Sequence, residues 1–158
     1  MKDIYLTPGP SELYQTVPQH IADDVKNNVC SFSHRGKEFE KIFARTVSAL
    51  KTLLEIPEEY HVFFTGCATE WMERIIENCV AQSSFHFVNG AFSERFFETS
   101  RELKKQAMKH EADFGTGFSC ADAKIPASAE LICFTQNETS SGVAVPLEDI
   151  YAVRKNFP

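Results

Sequence analysis

Apolar positions fall along the chain in two patterns, a helical period and short unbroken runs, and their alternation lays out the elements. Thr16 and Pro18 open a helix through Ile21-Ala22-Asp23-Asp24-Val25 that ends near Asn27-Asn28, because proline suits a first turn whose N–H groups have no partner. Phe39, Ile42, Phe43, Val47, Leu50 and Leu54 return every three or four residues. They predict a second helix with an apolar stripe for packing, stopped by Pro57. Tyr60-His61-Val62-Phe63-Phe64-Thr65 is rich in β-branched and aromatic residues and predicts a strand, with a helix from Thr69 to Val80 behind it. The unit then repeats. Ser84 to Val88 predicts a strand, Ala91 to His110 a long amphipathic helix, Glu130 to Phe134 a further strand, and Pro146-Leu147-Glu148-Asp149-Ile150 opens a last helix. Gly115 to Ala129 carries Gly115, Gly117 and Pro126 without a period and reads as a surface loop. Alternating strands and helices predict an α/β protein, a mostly parallel sheet covered on both faces.

Composition narrows the class. With 158 residues, 43% hydrophobic and 24% charged, the chain suits one soluble globular domain with a sizeable core. A net charge of -6 argues against nonspecific nucleic-acid binding. Lys104, Lys105, Lys109 and His110, interleaved with Glu98, Glu102 and Glu111, read as a solvated face of the long helix. Neither a targeting signal nor a membrane-length apolar run is evident, so a cytoplasmic protein is expected. Cys30, Cys67, Cys79, Cys120 and Cys133 form no C-x-x-C pair. Reduced thiols are expected, without a metal site.

Three segments concentrate polar chemistry where apolar runs end. Thr65-Gly66-Cys67-Ala68-Thr69 leads from a strand into a helix, so the N–H groups of Cys67, Ala68 and Thr69 can face an anion, helped by the helix dipole. The other reading is a plain turn capped by Thr69. Cys67 could be an acidified nucleophile, although no base can be assigned to it and an inert thiol is the simpler role. Asn137-Glu138-Thr139-Ser140-Ser141-Gly142 follows the last strand; the Thr139 hydroxyl can donate to a ligand and Glu138 can order the loop, or the segment is only a polar turn. Ser33-His34-Arg35 offers a planar cationic fork and a further donor for an acidic substrate, or a surface turn before a helix.

Taken in order, Thr7-Pro8-Gly9-Pro10, Ser33-His34-Arg35-Gly36-Lys37-Glu38-Phe39, Thr65 to Trp71, Asn89-Gly90-Ala91-Phe92 and Asn137 to Gly142 resemble the class V, fold-type I aminotransferases, and the phosphoserine aminotransferase family most closely. The resemblance implies the three-layer α/β/α large domain of that fold. Residues 1–15 would be an N-terminal arm and 16–158 the N-terminal portion of the cofactor-binding domain. It implies pyridoxal 5'-phosphate as cofactor, with its phosphate on Cys67, Ala68 and Thr69, its ring under Phe92 and a contact from Thr139. His34 and Arg35 would meet the substrate's acidic groups. The family usually has a more glycine-rich turn at Cys67 and Trp at Phe92; Phe keeps the π-face and loses the indole donor. Amino-group transfer between phosphoserine, or a related amino acid, and 2-oxoglutarate follows, in a homodimer.

Such chemistry needs a Schiff-base lysine and an acid facing the pyridine nitrogen. Neither is assignable in this chain, and both are expected beyond Pro158, so residues 1–158 alone are expected to be inactive. A serine or alanine–glyoxylate type of class V enzyme and a noncatalytic α/β binding or assembly module remain as alternatives.

Overall fold

The chain divides into two units, residues 1–64 and 65–158, and the computed structural model describes residues 5–7 and 9–157. Pro8, within the Thr-Pro-Gly-Pro run, lies outside the described residues. In the first unit, α1 spans Val17–Lys26 with Thr16 at its N-cap and Asn27 at its C-cap, and α2 spans Lys37–Leu53. A single 3-10 turn, Val29–Ser31, stands between them. The apolar stripe of α2 builds a small aromatic cluster rather than a core. Phe39 stacks on Phe43 at 6.3 Å, Phe43 meets Phe64 edge-on at 5.5 Å, and no residue of α2 is buried.

The strand expected at Tyr60 to Thr65 does not form. An isolated run has no stability without a neighbour to take its N–H and C=O groups. The strands of the described residues pair among themselves, so Phe63 stays 71% exposed.

In the second unit α3 (Ala68–Cys79) leads to β1 (Ser83–Val88), then α4 (Ala91–Glu102), β2 (Gln106–Glu111), β3 (Leu131–Cys133), a hairpin of β4 (Asn137–Glu138) and β5 (Val143–Ala144), and α5 (Leu147–Asn156). The sheet order is β2-β1-β3. Both pairings are parallel, with Phe85 beside Met108 and Ile132. All six residues of the central strand β1 are buried, as expected of a parallel strand covered on both faces.

Alternation along β1 sorts the layers. Phe85 and Phe87 enter a core with Cys120, Val145 and Val153, where Phe87 stacks on Phe134 at 4.4 Å. Full burial of one such ring stabilises the fold by about 2 kcal/mol. Ser84 and His86 point the other way, toward α4. The Ser84 hydroxyl lies 2.7 Å from that of Ser100, and His86 lies edge-on to Phe96 and Phe97. Ile76 of α3, Val80 and Cys133 complete that side. Helices on both faces of a parallel sheet give the expected α/β/α layers.

The helix expected from Ala91 to His110 stops at Glu102, and Gln106–Glu111 is instead β2. The stop is a Schellman closure: the Lys104 N–H donates to Arg101 O at 2.8 Å and the Lys105 N–H to Ser100 O at 3.0 Å. Lys104 holds the left-handed position, φ 60°, where glycine is usual. Lys109 and His110 therefore sit on a strand, with Lys109 paired to Glu94 at 3.3 Å and Glu111 at 3.0 Å.

Candidate functional site at the carboxyl edge of the sheet

β1 and β3 are parallel, so the segments that leave them emerge at one edge of the sheet, the usual place for ligands in an open α/β sheet. From β1 come Asn89, Gly90 and the start of α4; from β3 comes the hairpin with Glu138, Thr139 and Ser140. The two are tied together. Gly90, the N-cap of α4, has no side chain with which to satisfy the helix's leading N–H groups. The hairpin supplies what is missing: Ala91 N–H donates to Ser140 Oγ at 2.8 Å, Phe92 N–H to Glu138 Oε1 at 3.3 Å, and Ser93 N–H to Glu138 Oε2 at 2.7 Å. The Gly90 N–H donates to Ser93 Oγ at 3.0 Å. The leading turn of α4 is saturated within the chain.

Glu138 is 1% exposed. Burial pushes its carboxyl upward and is the largest single influence. Hydrogen bonds from Ser140, Ser93 and Phe92 together outweigh it and hold the carboxyl below its ordinary value. Gly90 leaves the room, for a Cβ there would lie 2.5 Å from Glu138 Cδ and 2.7 Å from Ser140 Oγ.

Two of the expected ligand-facing residues come together here. Phe92 and Thr139 flank the Glu138 clasp, Phe92 on the first turn of α4 and Thr139 next to Glu138 in the hairpin turn. The Phe92 ring is 45% exposed. Thr139 is exposed too, and its hydroxyl has no partner among the described residues.

The start of α3 is built differently. Cys67 is its N-cap in extended conformation, so Thr69 is not the cap. The Thr65 hydroxyl donates to Cys67 O at 3.2 Å and the Gly66 N–H to Glu70 Oε2 at 2.8 Å. Within the described residues nothing accepts the backbone N–H groups of Cys67, Ala68 and Thr69. This helix start is open where that of α4 is closed. α3 packs on α4, and among the described residues no hydrogen bond joins its first turn to Phe92 or Thr139.

His34 and Arg35 belong to the first unit. Both side chains are exposed, and the Arg35 N–H donates to Ser33 Oγ at 3.3 Å in the turn before α2. Gly90 and Ser140 have roles that sequence reasoning missed. A glycine N-cap without a side-chain acceptor was the available signal, since its helix must draw a cap from elsewhere.

Among the described residues no helix is long and apolar enough to cross a membrane, and no cluster of His, Cys, Asp and Glu could hold a metal ion.

No family model matches the chain. Phosphoserine aminotransferases of Rhodococcus opacus (strain B4) and Janthinobacterium sp. (strain Marseille) are 30% and 31% identical to it, over 88% and 90% of this chain but 37% and 44% of theirs. The crystal structure of a phosphoserine aminotransferase from Cytophaga hutchinsonii is 54% identical with a TM-score of 0.91, covering 96% of this chain and 42% of that one. A pyridoxal-phosphate-bound phosphoserine aminotransferase from Trichomonas vaginalis shares the fold at 20% identity, with a TM-score of 0.74 over 89% of this chain and 47% of its own. The chain spans less than half the length of these relatives.

Proposed function

We propose, for a chain that belongs to the phosphoserine aminotransferase family over less than half the length of its relatives, that it supplies part of the cofactor site of an enzyme moving an amino group between phosphoserine and 2-oxoglutarate. The observation that carries this reading is the contrast between two helix starts at one α/β unit: α4 is saturated by Glu138 and Ser140, whereas the N–H groups of Cys67, Ala68 and Thr69 at the start of α3 have no acceptor among the described residues. Free N–H groups at a helix start are donors for a phosphate ester. An exposed ring at Phe92 and an unpaired hydroxyl at Thr139 suit the remainder of a flat, polar cofactor. The residues present therefore fit pyridoxal 5'-phosphate, which when bound supplies an electron sink for breaking bonds at an amino acid's α-carbon.

In this reading Cys67, Ala68 and Thr69 bind the phosphate through backbone donors, Phe92 covers the ring face and Thr139 donates to the cofactor. His34 and Arg35 hold the substrate's acidic groups. Residues 1–15 serve as an arm and 16–158 as part of a larger cofactor-binding domain. A homodimer in the cytoplasm completes the proposal, resting on the family resemblance. The test is titration of the whole protein with pyridoxal phosphate, followed by an assay for glutamate from phosphoserine and 2-oxoglutarate. Absence of both binding and glutamate would overturn the reading.

Three substitutions probe the assignments. Ala68 is the first residue of α3, where proline fits the helix and the extended Cys67 before it tolerates a following proline. Ala68→Pro therefore deletes one N–H at little cost to the fold. It is expected to weaken cofactor binding about tenfold, while Cys67→Ser, which leaves the backbone donor, keeps near-normal affinity. Equal affinity in Ala68→Pro and the parent protein would remove the phosphate from this turn. Arg35→Lys keeps the charge and loses the fork, so KM for phosphoserine is expected to rise about tenfold or more with cofactor affinity unchanged. Steady-state kinetics over several acidic donors check this, and an unaltered KM for all of them would take Arg35 out of the substrate site.

A further inference from the structure

We infer that Glu138 is a positioning residue, whose buried carboxylate holds Phe92 and Thr139 in the relation that the cofactor requires. This rests on the functional reading above and adds to it a residue that itself faces no ligand. The carboxylate has four donors on two oxygens. Oε1 accepts from Phe92 N–H at 3.3 Å, Ser140 N–H at 3.3 Å and Ser140 Oγ–H at 2.6 Å, and Oε2 accepts from Ser93 N–H at 2.7 Å. The glutamate's own backbone C=O accepts from the N–H groups of Ser141 at 3.2 Å and Gly142 at 2.8 Å, which closes the turn that carries Thr139.

An ordinary helix cap is local, and this one reaches across 45 and 46 residues of sequence. Its donors belong to two segments that arise from different strands. One places the Phe92 ring and the other the Thr139 hydroxyl, and both residues are exposed, without side-chain partners among the described residues. A carboxylate is the acceptor this junction needs: both oxygens accept and neither donates, and hydrogen bonds to a charged acceptor are the shorter and stronger kind. Glutamine would turn one oxygen into an NH₂ group facing N–H donors. Rigid support behind ligand-facing groups preserves binding geometry that the groups themselves cannot enforce.

The experiment is done on the whole protein with pyridoxal phosphate, measuring Kd by titration of the cofactor-free form, the visible circular dichroism of the bound cofactor and the melting temperature. Glu138→Gln is expected to raise Kd about tenfold and to change the shape of the visible band at saturation. Adding Thr139→Ala to Glu138→Gln should cost less affinity than Thr139→Ala alone, because the hydroxyl is already misplaced. Ser140→Ala, which removes one donor from the exposed side of the junction, is the milder variant. It is expected to raise Kd about threefold with the same non-additivity toward Thr139, and it decides the matter if Glu138→Gln does not fold. A lowered melting temperature with parental Kd, parental visible band and additive losses would show Glu138 to be a cap for α4 alone, overturning the inference while the functional reading stands. A parent protein that fails to bind the cofactor would overturn both.

Discussion

Gly90→Ala is expected to lower the stability of the second unit by about 3 kcal/mol, a large loss for the addition of one methyl group. Backbone conformation is not the reason. Gly90 has φ -175° and ψ -178°, extended backbone that any residue adopts. The reason is space, since the new Cβ would lie 2.5 Å from Glu138 Cδ and 2.7 Å from Ser140 Oγ. That carboxylate cannot retreat without releasing the Phe92 and Ser93 N–H groups, and a buried donor left unpaired costs about 1–3 kcal/mol. Serine is normally among the best N-cap residues, yet Gly90→Ser is expected to destabilise as well, because its Cβ meets the same atoms. Urea denaturation of parent and variants checks this. An unchanged midpoint in Gly90→Ala would show that the junction yields freely.

Acidification is expected to remove about 3 kcal/mol of stability between pH 6.5 and 4 through one residue, His86. The ring is buried between β1 and α4, with Nε2 2.8 Å from Ser84 Oγ and no partner for Nδ1 among the described residues. Burial pushes its pKa down from 6.5 to about 4. The unfolded chain therefore takes up a proton at a pH where the folded chain refuses it. Stability from the neutral ring is complete above about pH 6.5 and falls as the pH drops toward 4, a window set by the depressed folded value. Glu138, held below its ordinary value, adds its own loss only at lower pH. Denaturation midpoints measured across this range should show the slope, and His86→Gln, which keeps a polar contact for Ser84 and cannot titrate, should flatten it. An equal slope in the variant would place the acid sensitivity elsewhere.

Much of what a turn or two of sequence can encode was legible without the structure. Thr16, Pro18 and Asn27 bounded α1, the apolar period of residues 39–54 marked α2, and the run at Ser84 to Val88 marked the buried centre of the sheet. The alternation of strand and helix then determined the α/β class, and the turn from Thr65 to Thr69 announced a helix start, because capping and amphipathicity act between residues three or four apart.

Tertiary structure decided what depends on partners distant in sequence. Tyr60 to Thr65 has a strand's composition and no ladder partner among the described residues, and composition cannot provide one. The residues after Glu102 continue a helical pattern, but Lys104 takes the left-handed position usually given to glycine, and Gln106–Glu111 pairs with β1 instead of extending α4. Both helix starts lie beside a glycine, Gly66 at one and Gly90 at the other. Only the fold brings a carboxylate from 45 residues away to saturate one and leave the other open, since a buried charge finds its hydrogen-bond donors in space rather than along the chain.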